Sequence, residues 1–372
     1  MKKRVLILGP TAPSIGGITT AVNTLMESEL PKEYDIRLMA NSNHRPMNKK
    51  GVIDFHNLTS AILILARLIH ELYAFRPKIV QVETAGEIGF LKQSVYILTA
   101  RLLRSKVIVS LHCANDDEPL AEFTRQGAVA RWYCGMILRR SHIVKLLSPK
   151  WNRNFAARWG LEYDQVVGLK NCLGSFFPWG AAIDNPTRSE ELTVVSIGSV
   201  GERKGSFLLI EAVKRLNEVG IPVSLVLVGP EERQGGAVAL EDAARIAGIA
   251  SRVHLLGGQP RERALDILSK ADVFALPSYA EGMPFSIIEA LAVGCPVVAS
   301  DVGAVRDIIK NEETGLLIES GSVDQLFDAL CRLAKDDGLR KKLASQGNVF
   351  ARNEFGIHNL ENTLRVVYEK LN

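Results

Sequence analysis

Short apolar runs alternate along the chain with longer stretches whose apolar residues recur every three or four positions. The short runs predict strands and the longer stretches predict helices. In the first half, strands are predicted at 4–8, 35–39, 78–83, 106–111, 142–147 and 165–167. Helices are predicted between them at 17–29, 58–75, 87–103, 122–140 and 149–159. Short, fully apolar strands separated by helices indicate a parallel sheet that is covered on both faces.

The pattern stops over 170–192, where Gly, Pro, Asn and Asp cluster, and then starts again. Strands are predicted at 193–197, 223–228, 252–256, 273–276, 296–299 and 315–318. Helices are predicted at 206–218, 237–247, 260–270, 284–293, 305–309, 323–335, 338–353 and 357–371. The predicted fold class is α/β, with two Rossmann-like, doubly wound parallel-sheet domains facing a cleft. We place the domains at 1–175 and 192–353, a linker at 176–191, and a last helix within 354–372 that packs back on the first domain.

The composition is that of an ordinary globular protein, with 47% hydrophobic and 23% charged residues among 372. The five cysteines are scattered without a Cys-x-x-Cys pair, which predicts reduced thiols rather than disulfides or a zinc site. The longest apolar run, 61–69, contains Arg67 and is too short to cross a bilayer. We therefore expect a cytoplasmic protein, and contact with the inner face of the membrane stays open.

The charge is unevenly distributed, with 24 Lys and Arg against 14 Asp and Glu over 1–183, and 21 against 27 over the remainder. This asymmetry indicates two domains with different partners. A basic first half suits anionic substrates, phospholipid headgroups or nucleic acid, and an unpartnered basic surface is an equal alternative. Because aromatic residues do not interleave with the basic ones, we expect no nucleic-acid partner.

The stretch 278–301, SYAEGMPFSIIEALAVGCPVVASD, contains two carboxylates at a predicted loop-to-helix junction. Pro284 suits the first helical position, which leaves the following backbone amides facing an anion. Glu289 is a suitable acceptor for two ribose hydroxyls, and Glu281 in the loop could hold sugar hydroxyls. A capping box, with Ser286 at the N-cap and Glu289 at the third helical position, is an equally good interpretation of the same spacing.

Three further positions hold candidate chemistry at the ends of predicted strands. Gly16 and Gly17 precede a helix and let a ligand approach its amides, although a plain turn explains them equally well. Arg203 and Lys204 lie in a turn before another helix, where two cations suit a diphosphate and a solvated basic turn is the alternative. His112 follows a buried strand, so it is either a donor to a substrate or a structural histidine.

Together these residues resemble the retaining, GT-B glycosyltransferases of glycosyltransferase family 4, also called group 1, over nearly the whole chain and most specifically over 252–318. The resemblance implies that Glu289 binds the nucleotide ribose and that His112 and Glu281 act at the reacting donor sugar. It assigns Lys204 to the diphosphate, Gly16 and Gly17 to the phosphate and acceptor, and Asn171 to the end of the first domain. It further implies donor contacts from the loop and helix start: Gly282, Met283, Phe285, Ser286 and Ile287.

The chain departs from the family pattern at two places. The family usually has Gly-Arg where this sequence has Gly198–Ser199, so one phosphate-binding cation is missing, and Arg203 in the adjacent turn is a candidate replacement. The common Gly-Phe-Gly is Gly282–Met283–Pro284 here, so that Pro284 removes one amide donor.

The resemblance implies a retaining, metal-independent hexosyltransferase without a cofactor. Its donor would be a UDP- or GDP-sugar, and its acceptor a glycan or polyprenyl-linked hydroxyl in cell-surface polysaccharide or glycolipid synthesis. A non-catalytic binding subunit of the same fold and a nucleotide-sugar epimerase are the alternatives. The basic loop 44–50, the helix 58–75 and Arg139–Arg140 could contact an anionic membrane, although an amphipathic core helix explains 58–75 more simply.

Overall fold

Two six-stranded parallel sheets form the framework of the computed structural model. The structure describes residues 2–11, 16–41, 55–85, 87–112, 120, 127–182 and 191–371. These residues form two compact units, the first being Met1–Ser175 with Gly356–Asn372 and the second Phe176–Phe355. The predicted fold class of two Rossmann-like parallel-sheet domains is confirmed.

The sheet of the first unit has the strand order β2-β1-β3-β4-β5-β6. Its strands are β1 (Arg4–Gly9), β2 (Asp35–Ala40), β3 (Ile79–Thr84), β4 (Lys106–Leu111), β5 (Ile143–Leu146) and β6 (Val166–Gly168). The helices around it are α1 (Gly17–Glu27), α2 (Leu30–Glu33), α3 (Phe55–Ala74), α4 (Glu87–Leu102), α5 (Ala128–Arg140) and α6 (Asn152–Trp159). Strand β3 is buried at every position, as a central strand with helices on both faces must be.

The sheet of the second unit has the order β12-β11-β10-β7-β8-β9. Its strands are β7 (Leu192–Ile197), β8 (Val223–Val228), β9 (Val253–Leu255), β10 (Val273–Leu276), β11 (Val297–Ser300) and β12 (Leu316–Ile318). The helices are α7 (Ser206–Glu218), α8 (Gly236–Ile246), α9 (Arg261–Ser269), α10 (Phe285–Val293), α11 (Val305–Ile308), α12 (Val323–Lys335) and α13 (Asp337–Phe355). Helix α10 is apolar around most of its circumference and is buried almost throughout, which fixes its position against the sheet.

The last helix, α14 (Ile357–Lys370), belongs to the first unit. Leu360, Leu364 and Val367 join the core formed by the strand residues Val5 and Ile7. Burial of each of these aliphatic side chains stabilises the packing of α14 in the first unit by about 1.5–3 kcal/mol.

The predicted helix at 17–29 ends earlier, at Glu27, and Leu30–Glu33 forms a separate turn of helix with Pro31 near its start. The stretch 149–159 divides into a 3₁₀ turn at Pro149–Trp151 and helix α6. In the described parts of the chain, no helix is both long and apolar enough to span a membrane.

Candidate functional site

Two loops that follow β7 and β10 are held together at the carboxyl edge of the second sheet. The amide of Tyr279 donates to the carbonyl of Arg203 at 2.8 Å. Gly205 lies in the left-handed region at φ 71°, and a Cβ there would stand 2.1 Å from the carbonyl oxygen of Pro277. Since only glycine permits both this conformation and this approach, the sequence places the turn before α7 directly against the loop after β10.

Lys204 and Glu281 meet between these two loops. The Lys204 ammonium lies 2.5 Å from Glu281 Oε1, and the Ser278 hydroxyl donates to the same oxygen at 2.7 Å. The side chains of Lys204 and Glu281 are only 14% and 7% exposed. Because water is largely excluded, the pair holds both groups in fixed positions, and an anionic ligand arriving here would compete with Glu281 for the ammonium.

The backbone of the Glu281 loop is fixed from its other side by the turn before α11. The amide of Ala304 donates to the Gly282 carbonyl at 2.9 Å. Gly303 has φ 56°, and a Cβ there would stand 1.8 Å from the Glu281 carbonyl oxygen. The position of Glu281 therefore depends on glycine at 303.

Helix α10 begins at Phe285 with Pro284 as its N-cap, and no side chain caps it. The first-turn amides, those of Phe285, Ser286 and Ile287, therefore have no intrahelical acceptor. The capping-box interpretation is wrong, because Ser286 lies inside the helix. The placement of Pro284 at the first helical position is also wrong, since its ψ of 121° is extended rather than helical.

Glu289 lies on the first turns of α10 and pairs with Arg261 from the start of α9. Arg261 Nε donates to Glu289 Oε1 at 3.0 Å, while no described residue donates to Oε2. Burial raises the pKa of Glu289, and the Arg261 charge opposes that rise. One carboxylate oxygen is therefore oriented by an arginine, and the other accepts no hydrogen bond from a described residue.

Arg203 extends along the edge of the same loops, with 42% of its side chain exposed. Its Nε donates to Glu232 at 2.9 Å, and its Nη2 donates to the Ser199 hydroxyl at 3.1 Å. The guanidinium thus reaches Ser199, the position at which the sequence lacks the expected cation.

In the first unit, His112 belongs to a buried charged cluster at the carboxyl ends of β3, β4 and β5. Its Nε2 lies 2.5 Å from Glu83 Oε2, and the Lys145 ammonium lies 3.7 Å from the same oxygen. Burial would raise the pKa of Glu83, but Lys145 and the hydrogen bond from His112 outweigh it and lower the pKa to about 2. Burial lowers the pKa of His112, against the effect of Glu83. Glu83 is therefore an ionised carboxylate, and its hydrogen bond with Nε2 holds the imidazole of His112 in place.

Side chains behind Glu83 extend this cluster to α14. Gln81 Nε2 donates to Glu83 Oε1 at 2.5 Å, and the Tyr368 hydroxyl donates to Gln81 Oε1 at 2.9 Å. Asn171 lines a cavity of about 10 Å³ together with Glu83 and Lys145. A space of this size accommodates about one water molecule.

Gly16 is the N-cap of α1, and Gly17 is its first residue, with open space where a Gly16 side chain would project. The structure thus groups the predicted residues of the second unit around one loop-to-helix junction. The other predicted residues, Gly16, Gly17 and His112, have in common only that they belong to the first unit. Among the described residues, no group of three or more His, Cys, Asp or Glu could hold a metal ion.

Sequence reasoning missed several partners of these residues. Glu83 had a detectable signal, since a carboxylate ends a predicted strand at the sheet edge where ligands bind. Ser278 also lies two residues after the end of a strand. Arg261 gave no signal, because it is 28 residues from Glu289 and only the packing of α9 against α10 joins them.

The fold is that of GT-B glycosyltransferases. A sucrose-phosphate synthase from Thermosynechococcus elongatus superimposes with a TM-score of 0.79 at 20% identity, covering 100% of this chain and 99% of that one. Anabaena HepE, solved in complex with UDP-glucose, superimposes with a TM-score of 0.75 at 16% identity, covering 98% and 99%.

Residues 182–349, most of the second unit, match the family model for glycosyl transferases group 1. A D-inositol 3-phosphate glycosyltransferase from Mycobacteroides abscessus is 36% identical over 147 residues, 39% of this chain and 32% of that protein. A phosphatidyl-myo-inositol mannosyltransferase from Mycobacterium leprae is 30% identical over 267 residues, 68% of this chain and 64% of that protein. The chain therefore spans about a third of the first of these relatives and just under two thirds of the second.

Proposed function

We propose that the protein transfers a hexose from a nucleoside diphosphate sugar to an acceptor hydroxyl, with retention of anomeric configuration. The observation that supports this most is the junction of Lys204, Glu281 and the uncapped start of α10 at one edge of the second sheet. Ligands of open α/β sheets bind at the carboxyl ends of the strands, and anions bind at helix N-termini.

The nucleotide part of the donor is assigned to α10 and its partner α9. Glu289 Oε2 accepts hydrogen bonds from the ribose hydroxyls, while Arg261 holds Oε1. Hydrogen bonds to a charged group contribute about 1.5–3 kcal/mol each, so this contact alone changes donor affinity roughly tenfold to a hundredfold.

The diphosphate is assigned to Lys204, Arg203 and the amides of Phe285, Ser286 and Ile287. A non-catalytic binding subunit is favoured by Ser199, where the family has arginine. Arg203 supports the catalytic alternative, since its guanidinium lies 3.1 Å from the Ser199 hydroxyl and supplies charge at that position. Since cations and helix amides offset the charge of the leaving diphosphate, we propose that transfer needs no metal ion.

In the proposed reaction, the bond between the anomeric carbon and the diphosphate oxygen breaks as the acceptor oxygen attacks from the same face. The acceptor proton passes to the leaving phosphate, and the nucleoside diphosphate departs. Glu281 orients hydroxyls of the donor sugar, and Lys204 moves from Glu281 toward the diphosphate when the donor binds.

His112 is assigned to the transferred sugar, and Glu83 is proposed as its positioning residue. A hydrogen bond from Nε2–H to the Glu83 carboxylate leaves Nδ1 of the neutral imidazole as the acceptor for a sugar hydroxyl. The basic first unit, with Gly16 and Gly17 at the start of α1, is assigned to the acceptor.

Two lines of similarity favour the donor and acceptor classes. HepE was solved with UDP-glucose, which favours a UDP-sugar, whereas the name of the M. leprae relative favours a mannosyl donor. That same name, together with an amylovoran biosynthesis glycosyltransferase of Erwinia amylovora that is 27% identical over 188 residues, favours a glycolipid or polysaccharide acceptor.

Helix α3 supports the proposal of a lipid-linked acceptor at an anionic membrane. Ile64 and Leu68 are buried against the unit, but Phe55, Leu58 and Ile62 are 82%, 60% and 58% exposed. An exposed apolar stripe on a unit with excess basic charge suits the interface of an anionic bilayer. The loop 44–50 lies outside the described residues. Ile62→Glu is expected to reduce sedimentation with anionic vesicles, and equal sedimentation of both proteins would end this part of the proposal.

The reaction itself is tested by incubating the protein with UDP- and GDP-sugars and lipid or glycan acceptors. Nucleoside diphosphate should appear in equal amount to a glycoside whose anomeric configuration matches the donor by NMR. A product of inverted configuration would overturn the retaining mechanism. Free sugar formed at the same rate without any acceptor would favour the epimerase-like alternative.

A further inference from the structure

A concave basic surface lies at the amino ends of β1, β2 and β3, at the edge of the first sheet opposite Glu83 and His112. Its volume is about 710 Å³, within the range of small-molecule sites. The ends of these strands are separated from Glu83 by about 17 Å, at 3.3 Å for each residue of β3. We call this surface the amino-edge pocket and define its charged lining as Lys2, Lys3, Arg4, Asp35, Arg76 and Lys78.

The lining is strongly cationic and poorly neutralised. Asp35 is its one carboxylate among the described residues, against five Lys and Arg side chains. No ion pair forms between those five and any described acid. Burial, and next the neighbouring charge of Lys78, lower the pKa of Lys3, and the charge of Glu369 opposes this only in part. Like charges held together without an ion pair destabilise a fold, which makes a purely structural role a poor explanation of the pocket.

The backbone holds these cations on rigid elements. Asp35 donates its amide to the Lys3 carbonyl at 3.0 Å, and Lys78 donates to the Arg4 carbonyl at 2.9 Å. Lys3 is anchored to α14 through the Tyr368 carbonyl at 2.6 Å, and the Arg4 guanidinium lies 5.9 Å from the Phe75 ring. Lys3, Arg4 and Lys78 are therefore fixed at or directly beside the amino ends of β1 and β3, whereas Arg76 lies in the turn between α3 and β3.

Arg76 adds a separate argument from local conformation. It follows α3 in the left-handed region, with φ 49°, where glycine or asparagine is the usual choice. Its side chain then lines the pocket while Nε donates to the Tyr73 carbonyl at 3.3 Å. An arginine in this conformation is intrinsically unfavourable, so the pocket gains this cation at a conformational cost.

From these observations we infer that the amino-edge pocket binds a phosphate group of an anionic ligand, separately from the sugar-transfer site. Several ammonium and guanidinium groups around one concavity suit a ligand with at least two negative charges. Tyr34, Pro31 and Ile36 line the remainder and accommodate the uncharged part of such a ligand. A soluble phosphate ester and a lipid headgroup share this chemistry.

Residue-resolved lysine acetylation, quantified by mass spectrometry, tests the inference. Pyrophosphate should slow acetylation of Lys2 and Lys78 severalfold, with no change at the exposed lysines Lys150 and Lys341. Vesicles containing phosphatidic acid form the second arm. Protection by vesicles alone would assign the phosphate to a lipid headgroup, and protection by pyrophosphate would assign it to a soluble ligand. Unchanged acetylation with both probes would overturn the inference, as would equal protection by sodium chloride at matched ionic strength.

Two variants separate recognition from folding. Arg76→Asn and Lys78→Gln should each weaken protection of Lys2 while raising the melting temperature of the ligand-free protein, because they relieve strain or charge repulsion. Arg153→Gln, a change at an exposed arginine on α6, is the matched control and should alter neither quantity. A lower melting temperature in both pocket variants, with protection retained, would contradict the inference. Since neither probe is a sugar donor, these outcomes do not depend on the proposed transferase activity.

Discussion

The buried carboxylate of Glu83 gives the sharpest quantitative prediction for the first unit. Its pKa falls from 4.5 to about 2 in the folded protein, because Lys145 and His112 outweigh the cost of burial. Each pKa unit corresponds to 1.36 kcal/mol, so the ionised form contributes about 3 kcal/mol to stability. For a lowered carboxylate pKa, this stabilisation is present above the unfolded-state value and is lost as pH falls from about 4.5 to about 2.

Glu83→Gln should therefore lower the free energy of unfolding by about 3 kcal/mol at pH 7, since it leaves Lys145 buried without its counter-ion. The difference between the two proteins should shrink as pH falls toward 3. Urea unfolding followed by tryptophan fluorescence reports mainly on the first unit, which contains three of the four tryptophans.

Glu33→Gln is the matched control, because Glu33 also has a lowered pKa from its arginine partner but lies at the surface. Its effect should be small, since exposed ion pairs are screened by water. A Glu83→Gln protein as stable as the wild type at pH 7, or one whose deficit is the same at pH 3 and pH 7, would refute the assignment of Glu83 as the ionised centre of the cluster.

Two predictions concern the second unit. Glu289→Ala should raise the dissociation constant of the sugar donor about tenfold to a hundredfold, whereas Glu262→Ala, at an exposed position on α9, should leave it unchanged; calorimetry measures both. Gly303→Ala should lower turnover about a hundredfold, because its Cβ would displace the Glu281 backbone by about 1 Å. Gly248→Ala is the control, because Gly248 has a similar positive φ but open space around it. An equally large loss of turnover in Gly248→Ala would mean that backbone strain alone, and not contact with the Glu281 backbone, explains the Gly303→Ala result.

The sequence predicted most of the fold because apolar periodicity and β-branched runs determine the elements locally. Strands β4, β8 and β10 and helices α7 and α12 have their predicted bounds. The boundaries that differ depend on local detail, such as Pro31 separating α2 from α1. The sequence pattern of α3 favours an amphipathic core helix, yet the outer face of this helix carries exposed apolar side chains. Apolar periodicity alone does not show whether such a face is buried or exposed.

The candidate site was predictable only in part. Lys204 and Glu281 were identified separately, but their contact depends on Gly205 packing against Pro277, a relation across 72 residues. The capping-box explanation rested on spacing within a single helix; it is wrong because Ser286 lies inside α10, and Glu289 pairs with Arg261 instead. Such tertiary pairs cannot be obtained from local patterns, because several distant residues could satisfy each charge.

The central claim is that the junction of Lys204 and Glu281 binds a nucleoside diphosphate sugar. Titration calorimetry with UDP-glucose, UDP-galactose, UDP-N-acetylglucosamine and GDP-mannose tests it most directly, using Lys204→Met and, as control, Lys214→Met at a half-buried lysine of α7. We predict that at least one donor binds with one-to-one stoichiometry, and that Lys204→Met weakens it at least tenfold while Lys214→Met does not. Failure of every donor to bind, or equal affinity in the Lys204→Met protein, would contradict the claim.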